Sequence, residues 1–196
     1  MKNKDAGIAV MIAGGLVLAS YGAYRWDSHA RAQAEARAVA QTAGWSSLSR
    51  LVARQTIEKY GPPDYVLADR LQWDAHRPWK RIVVFNALAA PLEQAVGYEG
   101  STRGLTGPVL FPYGSSAYSD GRDLAARSNS EELNRLCLNL ADDIVQGRRS
   151  VAEARRLYRR TVSLALSGKA SPYMDRLRLP VAAPETSRTD YPLSHF

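Results

Sequence analysis

The longest stretch without a charge runs from Ala6 to Tyr24, flanked by Lys2, Lys4 and Asp5 on one side and by Arg25 and Asp27 on the other. A helix of that length rises about 28 Å, close to the hydrocarbon thickness of a bilayer. Tyr21, Tyr24 and Trp26 cluster at one end, where amphipathic rings favour the membrane boundary, so residues 1–26 are expected to form a retained single-pass anchor. The competing reading is a cleaved export signal. "VLAS" supplies small residues for cleavage, but helix-compatible sequence continues through Tyr21-Gly22-Ala23-Tyr24, and no cysteine follows for lipid attachment. Lys2 and Lys4 nearly balance Arg25, Arg31 and Arg37 across the span; the preferred orientation is a short inner tail with the remainder exported. Beyond the span, alanine recurs at every second position from Ala30 to Ala40. Period two suits a strand, but high helix propensity and a lack of β-branched residues other than Val39 favour a helical stalk over 27–44.

Residues 45–167 alternate between helical and strand-like patterns. "SSLSRLVARQTIEKYGPP" places Leu48, Leu51, Val52, Ile57 and Tyr60 near one helical face and stops at Gly61-Pro62. "YVLADRLQW" and "WKRIVVFNA", separated by the turn-like "DAHRP", predict a hairpin, and "PLEQAVGYEG" offers another strand. "STRGLTGPVLFPYG" has the punctuation of an ordered loop, while Asp120-Gly121 marks a second hairpin. Leu133, Leu136, Cys137, Leu140, Ala141 and Ile144 then share a helix face, with Ser128 or a neighbouring polar residue as cap and Gly147 as stop. Ser150 and Glu153 have capping-box spacing for a final helix. The short connection favours antiparallel packing of this helical pair. The expected fold is α+β: a transmembrane helix and stalk, then a small antiparallel sheet packed with one early helix and a C-terminal helical hairpin. Residues 168–196 read as an extended, proline-interrupted tail, so the core is expected to end near Ser167.

Composition changes this picture little. About 150 residues after the stalk suffice for one domain. The net charge of +7 is unevenly placed, with most of the excess after residue 100, and could favour an acidic partner or anionic headgroups, but no RNA-recognition signature or zinc-finger spacing points to nucleic acid. Cys137 is the sole cysteine, so no internal disulfide forms and the compartment stays open.

"IEKYGPPDYVLADRLQW", "PWKRIVVF", "LNLADDIVQGRRSVAEARRLY" and "SPYMDRL", over roughly residues 50–178, resemble a family of uncharacterised bacterial proteins. The resemblance implies no activity. Two departures stand out: "IVVFNALAAP" replaces a segment bearing His, Phe and Pro, and Ser128-Asn129 stands where the family has a Cys-Asp pair. The helix, Gly-Pro turn and paired strands also resemble small periplasmic αββ modules of the outer-membrane-assembly lipoprotein type, at fold level only.

Candidate chemistry is sparse. His29, His76 and His195 are scattered without metal-ligand spacing, and Cys137 sits among leucines as a packed thiol. Asp142 and Asp143 are adjacent on a helix, so they point apart and read as a solvated helix end. "GSTRG" lacks a phosphate-loop fingerprint, and Trp73 and Trp79, flanking the turn, read as core partners. Arg155 with Arg159 and Arg156 with Arg160 form a basic ridge, opposite Val151, Ala154, Tyr158, Val162 and Ala165. That ridge is a solvated face or a docking site for carboxylates and lipid phosphates. Tyr173, Met174, Leu177, Leu179, Tyr191 and Phe196 give the tail apolar handles; an extended segment ordered on another protein and a disordered tail both remain open.

The expected function follows from placement. The chain reads as a membrane-anchored accessory or scaffolding subunit of a larger envelope or bioenergetic complex, in the inner membrane with its domain in the periplasm. Candidate partner-binding residues are Arg155, Arg156, Arg159, Arg160, Tyr173, Tyr191 and Phe196, and partners are an integral membrane complex and the bilayer. No catalytic, cofactor-binding or metal residue is expected. The alternative is an exported soluble domain with a small-ligand cleft between sheet and helices, released by signal cleavage. A hydrolase ranks third for want of converging polar groups.

Overall fold

The computed structural model describes residues 28–182. Helical residues 28–41 (α1) precede α2 (Ser47–Tyr60), which opens on the Ser46 hydroxyl accepting from Ser49 N–H and closes at Gly61. Four strands follow: β1 (Tyr65–Val66), β2 (Arg70–Asp74), β3 (Arg81–Phe85) and β4 (Leu92–Gly97). β5 (Val109–Leu110), a 3-10 turn at Pro112–Gly114, β6 (Ser116–Ser119) and β7 (Asp123–Ser128) complete the strands. α3 (Glu131–Val145), α4 (Val151–Leu166) and the single-turn α5 (Pro172–Asp175) close the described chain.

All seven strands join one antiparallel sheet in the order β1-β2-β3-β4-β7-β6-β5. Alternation along each strand gives the sheet two unlike faces. Leu71, Trp73, Ile82, Val84, Leu92, Val96, Leu124 and Ala126 point to the helices and form the core with Val52, Leu136, Leu140 and Tyr158. Residues of the opposite parity make a mixed face in which buried Val83, Ala95 and Ala125 lie among charged side chains: Arg81 pairs with Glu93 at 3.4 Å, and the Arg127 guanidinium lies 4.4 Å from the centre of the Phe85 ring. The fully buried indoles of Trp73 and Trp79 find acceptors within the core. Trp73 donates to Gly61 O at 2.9 Å and Trp79 to Tyr60 Oη at 3.0 Å.

The α+β class, both hairpins and the capping box at Ser150 and Glu153 are present. Several finer expectations differ. "YVLADRLQW" is two strands rather than one, because the chain turns back between Leu67 and Arg70. The loop after Gly104 contributes edge strand β5, too short to show alternation in sequence. Ser130, not Ser128, caps α3 by accepting from Leu133 N–H; Ser128 is the last residue of β7. Helix α1 is not a free stalk: Ala38, Thr42 and Trp45 are buried, and the Arg31 guanidinium reaches Gly61 at the end of α2.

The core does not end near Ser167. Leu179 is buried, Tyr173, Met174 and Leu177 pack against the core, and Val181 bridges Tyr98 at the end of β4. The prolines that rule out a long helix still allow this extended strap. Among the described residues no helix is long and apolar enough to cross a membrane. The expected span and its boundary residues Tyr21, Tyr24 and Trp26 lie outside the described residues.

Candidate functional site

The densest concentration of charge lies where α3 ends. Asn139, Asp142, Asp143 and Gln146 recur at intervals of three, one and three, which brings them to one side of the helix across two turns. Gly147, at φ 68°, then reverses the chain, and the backbone N–H groups of Arg148 and Arg149 donate to Asp143 O at 2.8 and 3.1 Å. This return lays both arginines over the helix terminus. Arg148 bridges the two carboxylates, donating Nε–H to Asp143 Oδ1 at 2.8 Å and an Nη2 hydrogen to Asp142 Oδ2. Arg149 donates Nε–H to Asp143 Oδ2 at 2.8 Å. Adjacent aspartates do diverge, but one guanidinium spans the divergence. The expectation of a solvated helix end is therefore wrong: Asp142 and Asp143 are 3% and 4% exposed.

Two tyrosines complete the carboxylate shell. Tyr98, from the end of β4, donates to Asp142 Oδ1 at 2.7 Å, and Tyr173, from α5, donates to Asp143 Oδ2 at 2.8 Å. The strap is held by its backbone. Asn139 donates to the carbonyls of Tyr173 and Arg176 at 2.9 and 2.8 Å and accepts from Arg178 N–H at 2.7 Å. The Arg178 guanidinium lies 5.0 Å from the centre of the Tyr173 ring. Asn139, Asp142, Asp143, Gln146, Arg148, Arg149, Tyr173, Arg178 and Pro180 line a groove of about 590 Å³.

Burial pushes the Asp143 carboxyl up, but the bonds from Arg148, Tyr173 and Arg149 outweigh it and hold the group below its usual range. Burial, then the bond to Asp142, pushes the Tyr98 phenol up. Both arginines are held more firmly protonated by their bonds to the aspartates. A carboxylate this well supplied with donors makes a poor proton shuttle, because a general base needs a pKa near the working pH and an open lone pair. The surplus lies on the donor side. Three guanidinium groups face the groove with two carboxylates among them, and among the described residues Arg178 has no carboxylate partner.

The other end of α3 holds a second, smaller site. Glu131 Oε2 accepts from Lys59 at 2.8 Å and from the Tyr60 phenol at 2.7 Å, and Oε1 accepts from Arg135. Burial raises the Glu131 carboxyl, and these donors together with the Arg135 charge bring it below its usual range. Beside it, Val52, Thr56, Leu92, Gln94, Ser130 and Glu132 help to line a pocket of about 330 Å³ between sheet and helices. Gln94 Oε1 accepts from Asn134 at 3.0 Å, but its Nε2 is the one buried side-chain polar atom without a partner among the described residues.

The predicted ridge is real as a surface. Arg155, Arg156, Arg159 and Arg160 are all exposed, on the side of α4 away from buried Ala154, Tyr158 and Thr161. Arg155 donates Nε–H to Leu110 O at 2.8 Å; among the described residues no carboxylate forms a salt bridge with any of the four. Tyr173 is directed inward to Asp143 and does not stand out as an apolar handle; Tyr191 and Phe196 lie outside the described residues. Cys137 is fully buried, and burial pushes its thiol far up. His76 packs edge-on against Tyr60, and among the described residues no group of His, Cys, Asp and Glu could hold a metal ion. The groove residues Tyr98, Arg148, Arg149 and Arg178 had no warning from single positions. The usable signal was the polar face Asn139, Asp142, Asp143 and Gln146 followed at once by Gly-Arg-Arg.

The chain matches no family model, no curated protein and no solved structure.

Proposed function

We propose that this chain is an accessory or scaffolding subunit of a larger envelope or bioenergetic membrane assembly, anchored in the inner membrane by residues 1–26, with its α+β domain in the periplasm. It acts by protein–protein contact. The observation that supports this reading is the α4 ridge, where Arg156, Arg159 and Arg160 are exposed and without carboxylate partners among the described residues. Guanidinium groups left open on a rigid helix are suited to carboxylates or phosphates on a neighbour. Leu164 and Leu166, exposed near the end of the same helix, add apolar surface beside the charge.

The test is the size and stability of the assembly extracted from membranes in gentle detergent. The intact chain is expected to migrate with integral partners, and replacing Arg156, Arg159 and Arg160 together by Glu is expected to release it. A free, uncut monomer from the unsubstituted protein would overturn the proposal. The second reading, an exported ligand-binding domain released by signal cleavage, draws support from the pocket beside Gln94. Intact mass separates the two, because cleavage removes the first 20 or so residues.

A further inference from the structure

We infer that the groove at the end of α3 is a binding site for a phosphate-type oxyanion, with Arg149 and Arg178 as its principal donors. This stands apart from the scaffold reading, which rests on the α4 ridge, none of whose arginines lines the groove.

Each guanidinium carries five N–H donors in a planar fork. Arg148 uses Nε and Nη2 on the aspartates, Arg149 uses Nε on Asp143 and also interacts with the Tyr173 hydroxyl, and no side-chain acceptor is seen for the Arg178 guanidinium among the described residues. The acceptors on the protein side are already occupied: Asp143 takes three side-chain bonds and Asp142 takes two. The groove therefore has donors to spare and one positive charge more than its two carboxylates answer. The shared anchor keeps these donors together. Arg148, Arg149 and Tyr173 all bond Asp143, and Arg178 stacks on Tyr173.

The two aspartates and the negative end of the α3 dipole oppose an anion. Arg148 and the Arg149 Nε–H answer them directly, and Glu153 also acts on Arg149, so the surplus resides chiefly on Arg178, with Arg149 contributing its remaining donors. A tetrahedral oxyanion with several acceptor oxygens fits such a spread of donors better than a single carboxylate. The volume of about 590 Å³ lies in the range of small-molecule sites, and of its lining arginines Arg149 is half-buried and Arg178 exposed. Binding is consequently modest in strength and sensitive to salt. The phosphate comes either from a free phosphate monoester or from a lipid headgroup, since the same donors recognise both.

The full chain in detergent, at low ionic strength, is titrated calorimetrically with inorganic phosphate, glycerol 3-phosphate and a short-chain phosphatidic acid, with short-chain phosphatidylcholine as control. Saturable binding of any of the first three, weakened about tenfold or more by Arg178→Gln, is the expected result. Binding of the soluble phosphates identifies a free ligand; binding of phosphatidic acid alone identifies a headgroup. Arg178 holds the strap through its backbone N–H, so Arg178→Gln is expected to leave the melting temperature unchanged. If it does not, Arg149→Lys, which keeps the charge and loses the fork, is the second variant and should weaken binding about fivefold. Absence of binding in all three arms, or binding untouched by both variants, would overturn the site.

Discussion

The two ends of α3 solve one problem by different means. Each buries a carboxylate against cations and tyrosine hydroxyls, Glu131 at the first turn and Asp142 with Asp143 at the last. The helix dipole favours the first and opposes the second. Glu131 is accordingly content with Lys59, Tyr60 and its own i+4 neighbour Arg135. The aspartates need a chain reversal that brings two guanidinium groups directly back over the helix end, plus a phenol from the sheet and another from the strap. A carboxylate set against the dipole thus ties together more of the molecule than one set with it.

The largest effect separating the two ends is expected from Asp143→Asn. It strips the full charge that holds Arg148, Arg149 and Tyr173, and should lower stability by about 3 kcal/mol in urea unfolding. Glu131→Gln should cost about 1–2 kcal/mol, because a lysine point charge and an i,i+4 helix pair hold a carboxylate less firmly than the two arginines at Asp143, even with the lost dipole contact added. Equal losses from both substitutions would break the comparison. Acid sharpens it. Both carboxyls are held below their unfolded values, so their contribution is complete above the ordinary carboxylate range of about pH 4 and is lost as pH falls through the depressed folded values. Asp143→Asn should flatten acid unfolding more than Glu131→Gln does. Gln94→Leu is expected to change stability by less than about 1 kcal/mol, since it removes a donor that has no partner while Asn134 keeps Leu92 O at 3.3 Å. Arg159→Gln, on the exposed ridge, should shift stability by less than about 0.5 kcal/mol.

Local pattern carried much of the fold. The amphipathic faces of α3 and α4, the Asp120-Gly121 turn and the capping box each follow from chemistry within a few residues and are where the pattern places them; in α2 Val52 and Ile57 face inward as expected, but Leu51 is exposed and Ser49, Ala53 and Thr56 are buried instead. What escaped was non-local. Whether Asp142 and Asp143 face solvent depends on a reversal at Gly147 and on Tyr98, forty-four positions away from Asp142. The strap was obscured because prolines forbid a long helix without forbidding a docked extended segment, and Leu179 by itself cannot reveal what it packs against. Helix α1 is seated by Ala38, one of many alternating alanines, and by Thr42 and Trp45 in the turn that follows it, so no single helical face announced the contact.

Because α1 is seated on the domain by Ala38 and Arg31, it behaves as a keyed shaft and not as a slack cord. Adding one residue between Arg31 and Ala38 would turn the first turn of α1 by about 100° about the helix axis and shift it by about 1.5 Å, carrying Arg31 away from Gly61. The meeting of α1 with the end of α2 is therefore written into the phase of a single helix.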